Sequence, residues 1–135
     1  MFLKFNLLRP NAKLPERKNL QDVGLDCYVP EAGVLKPGMN KVPLGWSVEI
    51  PNGYQGIISP RSGHAVRGIL SQIPPIDPGY TGEVHALVYN ATGEDYEYPL
   101  HERIGQLVIT PVIIATPVLE LENNRGNNGF NSTGR

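Results

Sequence analysis

Apolar residues recur along this chain in short bursts, and several bursts alternate with polar neighbours at a period of two. Trp46-Ser47-Val48-Glu49-Ile50 puts its apolar side chains on one face and its polar ones on the other, the pattern of a strand with one solvated side. Comparable β-branched or aromatic runs lie at Phe2–Leu8, Leu25–Val29, Gln55–Ser59, Gly82–Asn90, Tyr96–Leu100, Ile104–Thr110 and Pro111–Leu119. Turn residues separate them, for the chain holds 15 Gly and 13 Pro spread over its whole length. The longest stretch free of both runs only from Glu83 to Thr92, whereas an ordinary helix takes roughly 11–12 residues. The pattern predicts an all-β architecture (sandwich, barrel or jelly roll) with almost no room for helix.

With 135 residues the chain is long enough to bury one substantial core. No internal repeat or low-complexity linker marks a boundary. One domain is expected over residues 1–123, followed by a tail, 124–135, that lacks apolar periodicity and could not fold alone. The net charge of -1 gives no electrostatic reason to expect nucleic acid or an anionic membrane as a partner. Cys27 is the only cysteine, which excludes an internal disulfide and a thiolate-rich metal site. There is no signal-peptide core and no apolar run able to span a bilayer, so a reducing, cytoplasmic setting is the expectation.

Against this framework a few stretches carry chemistry. Ile76-Asp77-Pro78-Gly79-Tyr80 reads as a rigid turn opening an apolar strand, Pro78 presetting φ and Gly79 supplying a left-handed conformation. Asp77 sits just before the corner, either capping its own turn or held there as a general base. Asp26 enters a strand after Gly24, which allows an unusual backbone; it too reads as a turn cap or as a ligand for metal or water. Ser59 to Gly68 brings Arg61, Ser62 and Gly63 into one small loop, an exposed basic turn or an anion receptor. Gln106 is the odd polar residue in the Arg103–Ile109 strand and, if buried, must find partners. Trp46 is expected in the core. In the tail, Arg125, Phe130 and Ser132 lie among small residues, as in a disordered terminus or an arm that closes over a ligand, with the ring stacking and the other two binding phosphate.

Taken together, these stretches resemble the trimeric dUTP pyrophosphatase (dUTPase) family, with five motifs in the family's order over most of the chain. Asp22-Val23-Gly24-Leu25-Asp26 is similar to the first, Pro60-Arg61-Ser62-Gly63 with Arg67-Gly68 to the second, and Ile76 to Val84 to the third. Arg103-Ile104-Gly105-Gln106-Leu107 resembles the fourth, and Arg125 to Gly134 the fifth. The resemblance implies a β-clip-like jelly roll, a homotrimer with shared active sites, and Mg2+-dependent hydrolysis of dUTP to dUMP and pyrophosphate. That activity would lower dUTP and supply dUMP for dTMP synthesis. It further implies Asp77 as the carboxylate that activates water, Tyr80 as the ring beneath the deoxyribose, and Asp26 as the residue holding Mg2+ through water. Arg61, Ser62, Gly63 and Gln106 would neighbour the phosphates, while Phe130 covers the uracil and Arg125 and Ser132 grip the γ-phosphate. Ile76 and Ser71 complete the substrate-binding set.

The chain also departs from the family pattern. The hairpin Ile69–Ile76, whose backbone would read uracil, is a few residues short and lacks the usual Asn and Gly, leaving Ser71 or Gln72 as its polar side chain. His64 stands where Leu is usual, and Asn128 and Asn131 where Gly is usual. A dCTP deaminase of the same fold is the nearest rival, but its catalytic Glu would fall at Leu87, which cannot relay protons. A non-catalytic nucleotide-binding jelly roll is the other alternative.

Overall fold

The computed structural model describes residues 1–121. Along them run β1 (Lys4–Leu7), β2 (Leu25–Tyr28), β3 (Gly33–Leu35), β4 (Gly38–Pro43), β5 (Trp46–Glu49) and β6 (Tyr54–Ser59). A single-turn helix α1 (Ser62–Val66) precedes β7 (Ile69–Gln72), β8 (His85–Asn90), β9 (Tyr96–Tyr98) and β10 (Arg103–Pro111). All pairings are antiparallel, in two three-stranded sheets ordered β2-β10-β6 and β4-β8-β7 and two ribbons, β1-β5 and β3-β9. This is the all-β architecture expected from the alternating pattern, in the jelly-roll form that the resemblance implies.

Between the layers lie Trp46, Leu35, Leu44, Leu107, Val29 and Val88, all fully buried. Phe5 meets Trp46 edge-on with ring centroids 5.1 Å apart, pinning β1 and β5 to the core. Of the buried polar side chains Ser47, His64 and Asn90, Asn90 lies deepest. Asn90 donates from Nδ2 to the carbonyls of Leu35 (2.8 Å) and Glu94 (2.7 Å), and its Oδ1 accepts from the N–H and hydroxyl of Thr92. With every hydrogen-bonding site matched, it fixes the end of β8 instead of weakening it.

The strands expected from alternation form, with four differences. β3, β4 and β7 are additional: β3 and β7 are only three and four residues long, and β4 opens at Gly38, whose φ is 98°, with Asn40 and Lys41 interrupting its apolar residues. Gly82–Val84 stays outside β8. The segment after β10 is not a strand either. The last pair of the ladder is Pro111 with Tyr54, so no strand of the described chain remains to pair with residues 112–121, and Pro117 breaks the donor pattern. Finally, the Ser59–Gly68 loop contains the five-residue helix α1.

Candidate active site

Strand order brings three sequence-distant segments together. In the sheet β2-β10-β6, Gln106 of β10 lies opposite Asp26 of β2 on one side and Ser59 of β6 on the other. Arg61, Ser62 and Gly63 follow β6 directly. A cleft of about 260 Å³ is lined by Asp26, Arg61, Ser62, Gly63, Arg103 and Gln106, with Lys18 and Asp22.

Arg103 reaches this cleft through a backbone irregularity. It pairs with Tyr28 while Gln106 pairs with Asp26, and the register slips between Arg103 and Gly105. Tyr28 and Asp26 share a face, so the bulge lets two residues three apart on β10 face the same side. Arg103 Nη1 then lies 3.6 Å from Asp26 Oδ2. Three readings from the sequence change here. Gln106 is half-buried and lines the cleft instead of lying buried. Gly24 does not take a left-handed backbone; it supplies space, because a Cβ there would stand 2.7 Å from the Cβ of Gln106. Asp22, not Asp26, is the turn cap, accepting from the N–H and Nδ2 of Asn19.

Asp77 belongs to a second cleft of about 250 Å³, also lined by Ile76, Tyr80, Gln72, Lys41 and His85. Its turn closes by the Tyr80 N–H donating to the Asp77 carbonyl at 3.0 Å. Gly79 does not adopt the left-handed conformation expected of it; Pro78 at the second position suffices for the corner. Among the described residues no donor engages the Asp77 carboxylate, which is exposed at the cleft instead of capping its own turn. Ile76 anchors the turn from below by exchanging backbone hydrogen bonds with Gly56 at 3.1 and 2.6 Å.

Tyr80 is also held. Its hydroxyl donates to the Glu83 carbonyl at 2.8 Å, folding the ring over Gly82, where a Cβ would come within 3.0 Å of Tyr80 Cζ. Glu83 in turn accepts Nε of Arg9 at 2.6 Å, Nη2 at 2.9 Å and the Gly45 N–H at 2.9 Å. The Arg9 guanidinium holds the Glu83 carboxyl below the ordinary carboxylate range. Elsewhere, burial pushes the Cys27 thiol up and leaves it inert.

Leu87 of β8 pairs with Lys41 of β4 and with Gln72 of β7, setting a row of three across the cleft. His85, two residues back on the same face, lines it as well, its Nδ1 3.2 Å from the Glu83 carbonyl. Ser71 alternates away from Gln72 and is not among the residues lining this cleft, so Gln72 is the polar side chain the hairpin contributes to it. Lys41 and His85 were not singled out from the sequence, and Arg103 entered only as the first residue of the fourth motif, without a role. Period-two alternation from Leu87 could have found His85, but the pairing partner Lys41 and the bulge at Arg103 leave no sequence signal. Arg125, Phe130 and Ser132 lie outside the described residues.

Among the described residues the two clefts share no lining residue. Among the described residues no group of three or more His, Cys, Asp or Glu side chains converges, so a cation at Asp26 would draw most ligands from water and substrate, the habit of Mg2+. No helix of the described residues is long and apolar enough to cross a membrane.

A family model described as dUTPase matches residues 10–134. The deoxyuridine 5'-triphosphate nucleotidohydrolase of Anaeromyxobacter sp. (strain Fw109-5) is 39% identical over 133 residues, covering 93% of this chain and 90% of that protein. Its counterpart from Clostridium tetani is 34% identical over 140 residues, covering 98% and 97%. Among solved structures, a mutant dUTPase from phage phi11 of S. aureus that coordinates a structural Mg(II) ion has a TM-score of 0.79 at 28% identity, covering 92% of this chain and 98% of that one. A mutant of the Staphylococcus bacteriophage 80alpha dUTPase with dUpNHpp also has a TM-score of 0.79, at 29% identity, covering 99% of each chain.

Proposed function

The chain belongs to the dUTPase family, and from that membership we propose that it is a dUTP diphosphatase whose water-activating base is Asp77. The observation that carries the assignment is the Asp77 carboxylate, met by no donor among the described residues and exposed on a rigid turn beside Tyr80. A base in that state is available to a water molecule, because no described residue competes for its lone pairs.

In the reaction, the Asp77 carboxylate takes a proton as the water oxygen bonds to the α-phosphorus. The bond from that phosphorus to the bridging oxygen breaks, pyrophosphate leaves with the electron pair, and dUMP remains. Tyr80, clamped by Glu83, sits under the deoxyribose, and the cleft floored by Leu87 takes the base. Arg61, Arg103 and Gln106 face the phosphates, where fixed positive charge and donors offset the developing charge. Asp26, whose carboxylate lines the phosphate-facing cleft with that of Asp22, suits Mg2+ held through water, and bound Mg2+ would supply further charge neutralisation there. Leu87 at the cleft floor has no proton to relay, which disfavours deamination of dCTP.

The site is shared between subunits of a homotrimer. Two observations support this reading: base-side and phosphate-side groups occupy clefts with no described residue in common, and residues 112–121 carry apolar side chains in solvent. Ile113, Val118 and Leu119 are 85–91% exposed, an arrangement that calls for a partner surface. The tail 124–135, with Arg125, Phe130 and Ser132, then closes over a site as an arm in a cytoplasmic enzyme.

A product assay with dUTP and dCTP side by side tests the activity. Pyrophosphate and dUMP from dUTP, with no ammonia from dCTP, is the expected result. Ammonia release would overturn it.

A further inference from the structure

His64 follows the Arg61-Ser62-Gly63 segment of the phosphate cleft, yet its imidazole is buried, with 3% exposure. Nε2 lies 3.1 Å from Glu102 Oε2, and the Tyr96 hydroxyl donates to the same oxygen at 2.9 Å. With that hydroxyl committed to Glu102, the geometry gives Nε2 the role of second donor. The His64 and Tyr96 rings meet edge to face, centroids 5.9 Å apart. Glu102 immediately precedes Arg103, which lines the phosphate cleft and lies 3.6 Å from Asp26.

Packing alone does not account for this imidazole. Nδ1 is buried and finds no partner among the described residues, a state that costs free energy an apolar side chain would not incur. What the imidazole adds is a tie between two elements that both carry cleft residues: α1, with Arg61 to Gly63 at its start, and the head of β10, with Arg103 and Gln106.

We propose that His64 is a positioning residue for the triphosphate, holding the start of α1 against the head of β10 through Glu102. This rests on the reading that the Arg61–Gln106 cleft takes the phosphates. The ionisable neighbours of the pair are Glu102 ahead of β10, Tyr96 on β9, and Arg61 and Arg67 at the two ends of α1, whose charges bear on Tyr96. Loosening the tie separates groups that must close on the phosphates together and leaves the Asp77–Tyr80 cleft untouched.

The test is calorimetric titration of the full chain with dUpNHpp and with dUMP, alongside steady-state hydrolysis of dUTP. His64→Leu is expected to weaken dUpNHpp about tenfold, the scale of one lost hydrogen bond to a charged group, while dUMP affinity holds. KM for dUTP then rises more than kcat falls, and His64→Gln, which restores a donor near the Nε2 position, recovers most of the loss. Should His64→Leu not fold, Glu102→Gln and Tyr96→Phe perturb the same carboxylate and read the same selectivity. Equal losses for both nucleotides, or no loss for either, would overturn the proposal. A wild-type protein that binds dUpNHpp no more tightly than dUMP would overturn the phosphate reading, and the proposal with it.

Discussion

Gln106 of β10 faces Asp26 of β2 directly across the ladder, and the space for its side chain is supplied by Gly24. Gly24→Ala forces a Cβ against both the Cβ and the amide of Gln106. Relief requires moving β2 or rotating Gln106 out of the cleft. The variant is expected to lose about 1–3 kcal/mol of stability, as overpacked sites do, and to show a raised KM for dUTP. Thermal unfolding and steady-state kinetics read the two effects separately; unchanged values of both would mean the contact is not tight in solution.

Asp77→Asn keeps the size of the side chain and its place on the Pro78 corner but removes the base. Hydrolysis of dUTP is expected to fall about 10²–10⁴-fold, with dUpNHpp affinity close to that of the wild type. Near-normal turnover by this variant would dismiss Asp77 as the base.

Glu83 ties pH to stability. The hydrogen bonds from Arg9 lower its folded-state pKa below the ordinary value of 4.5, so its contribution is complete above that value and is lost as pH falls through the lowered one. The Tm difference between wild type and Glu83→Gln is therefore expected to be largest near neutral pH and to shrink in acid. A difference that stayed constant down to about pH 3 would place the stabilisation elsewhere, since the unfolded carboxyl is by then protonated and the contribution must already be falling. Because the side-chain ties of Glu83 to Arg9 and Gly45 also steady the backbone carbonyl that accepts the Tyr80 hydroxyl, this variant is expected to bind dUMP more weakly as well.

Separate clefts on one chain suggest a mixing experiment. Asp77→Asn lesions the base-side cleft and Arg61→Ala the phosphate-side cleft, so each variant alone is expected to be nearly inactive. Trimers reassembled from equal amounts contain some sites built from the intact half of each chain, roughly a quarter by random assortment. Recovery of activity to about that fraction of wild type supports shared sites, and none at all would place each site within a single subunit.

Much of this protein was legible in its sequence. Alternation at a period of two follows from strand geometry itself, so Trp46 to Ile50 and the core face of β8 declared themselves. The motifs around Asp26, Arg61, Asp77 and Gln106 stood out because function demands particular groups beside particular turns. What the sequence could not settle depends on which strands become neighbours. Asp26 meets Gln106 only because β10 pairs between β2 and β6, and Arg103 joins them only through a bulge. Gly24 and Gly79 show the limit most clearly. Both looked like residues chosen for backbone freedom, yet neither is left-handed, and Gly24 is required by a side chain more than eighty positions away in sequence. His64 looked like a stray substitution until folding set it against Glu102 and Tyr96. Local sequence governs propensity and turn chemistry; contacts between distant segments are set by packing the whole chain, and these sites are built from such contacts.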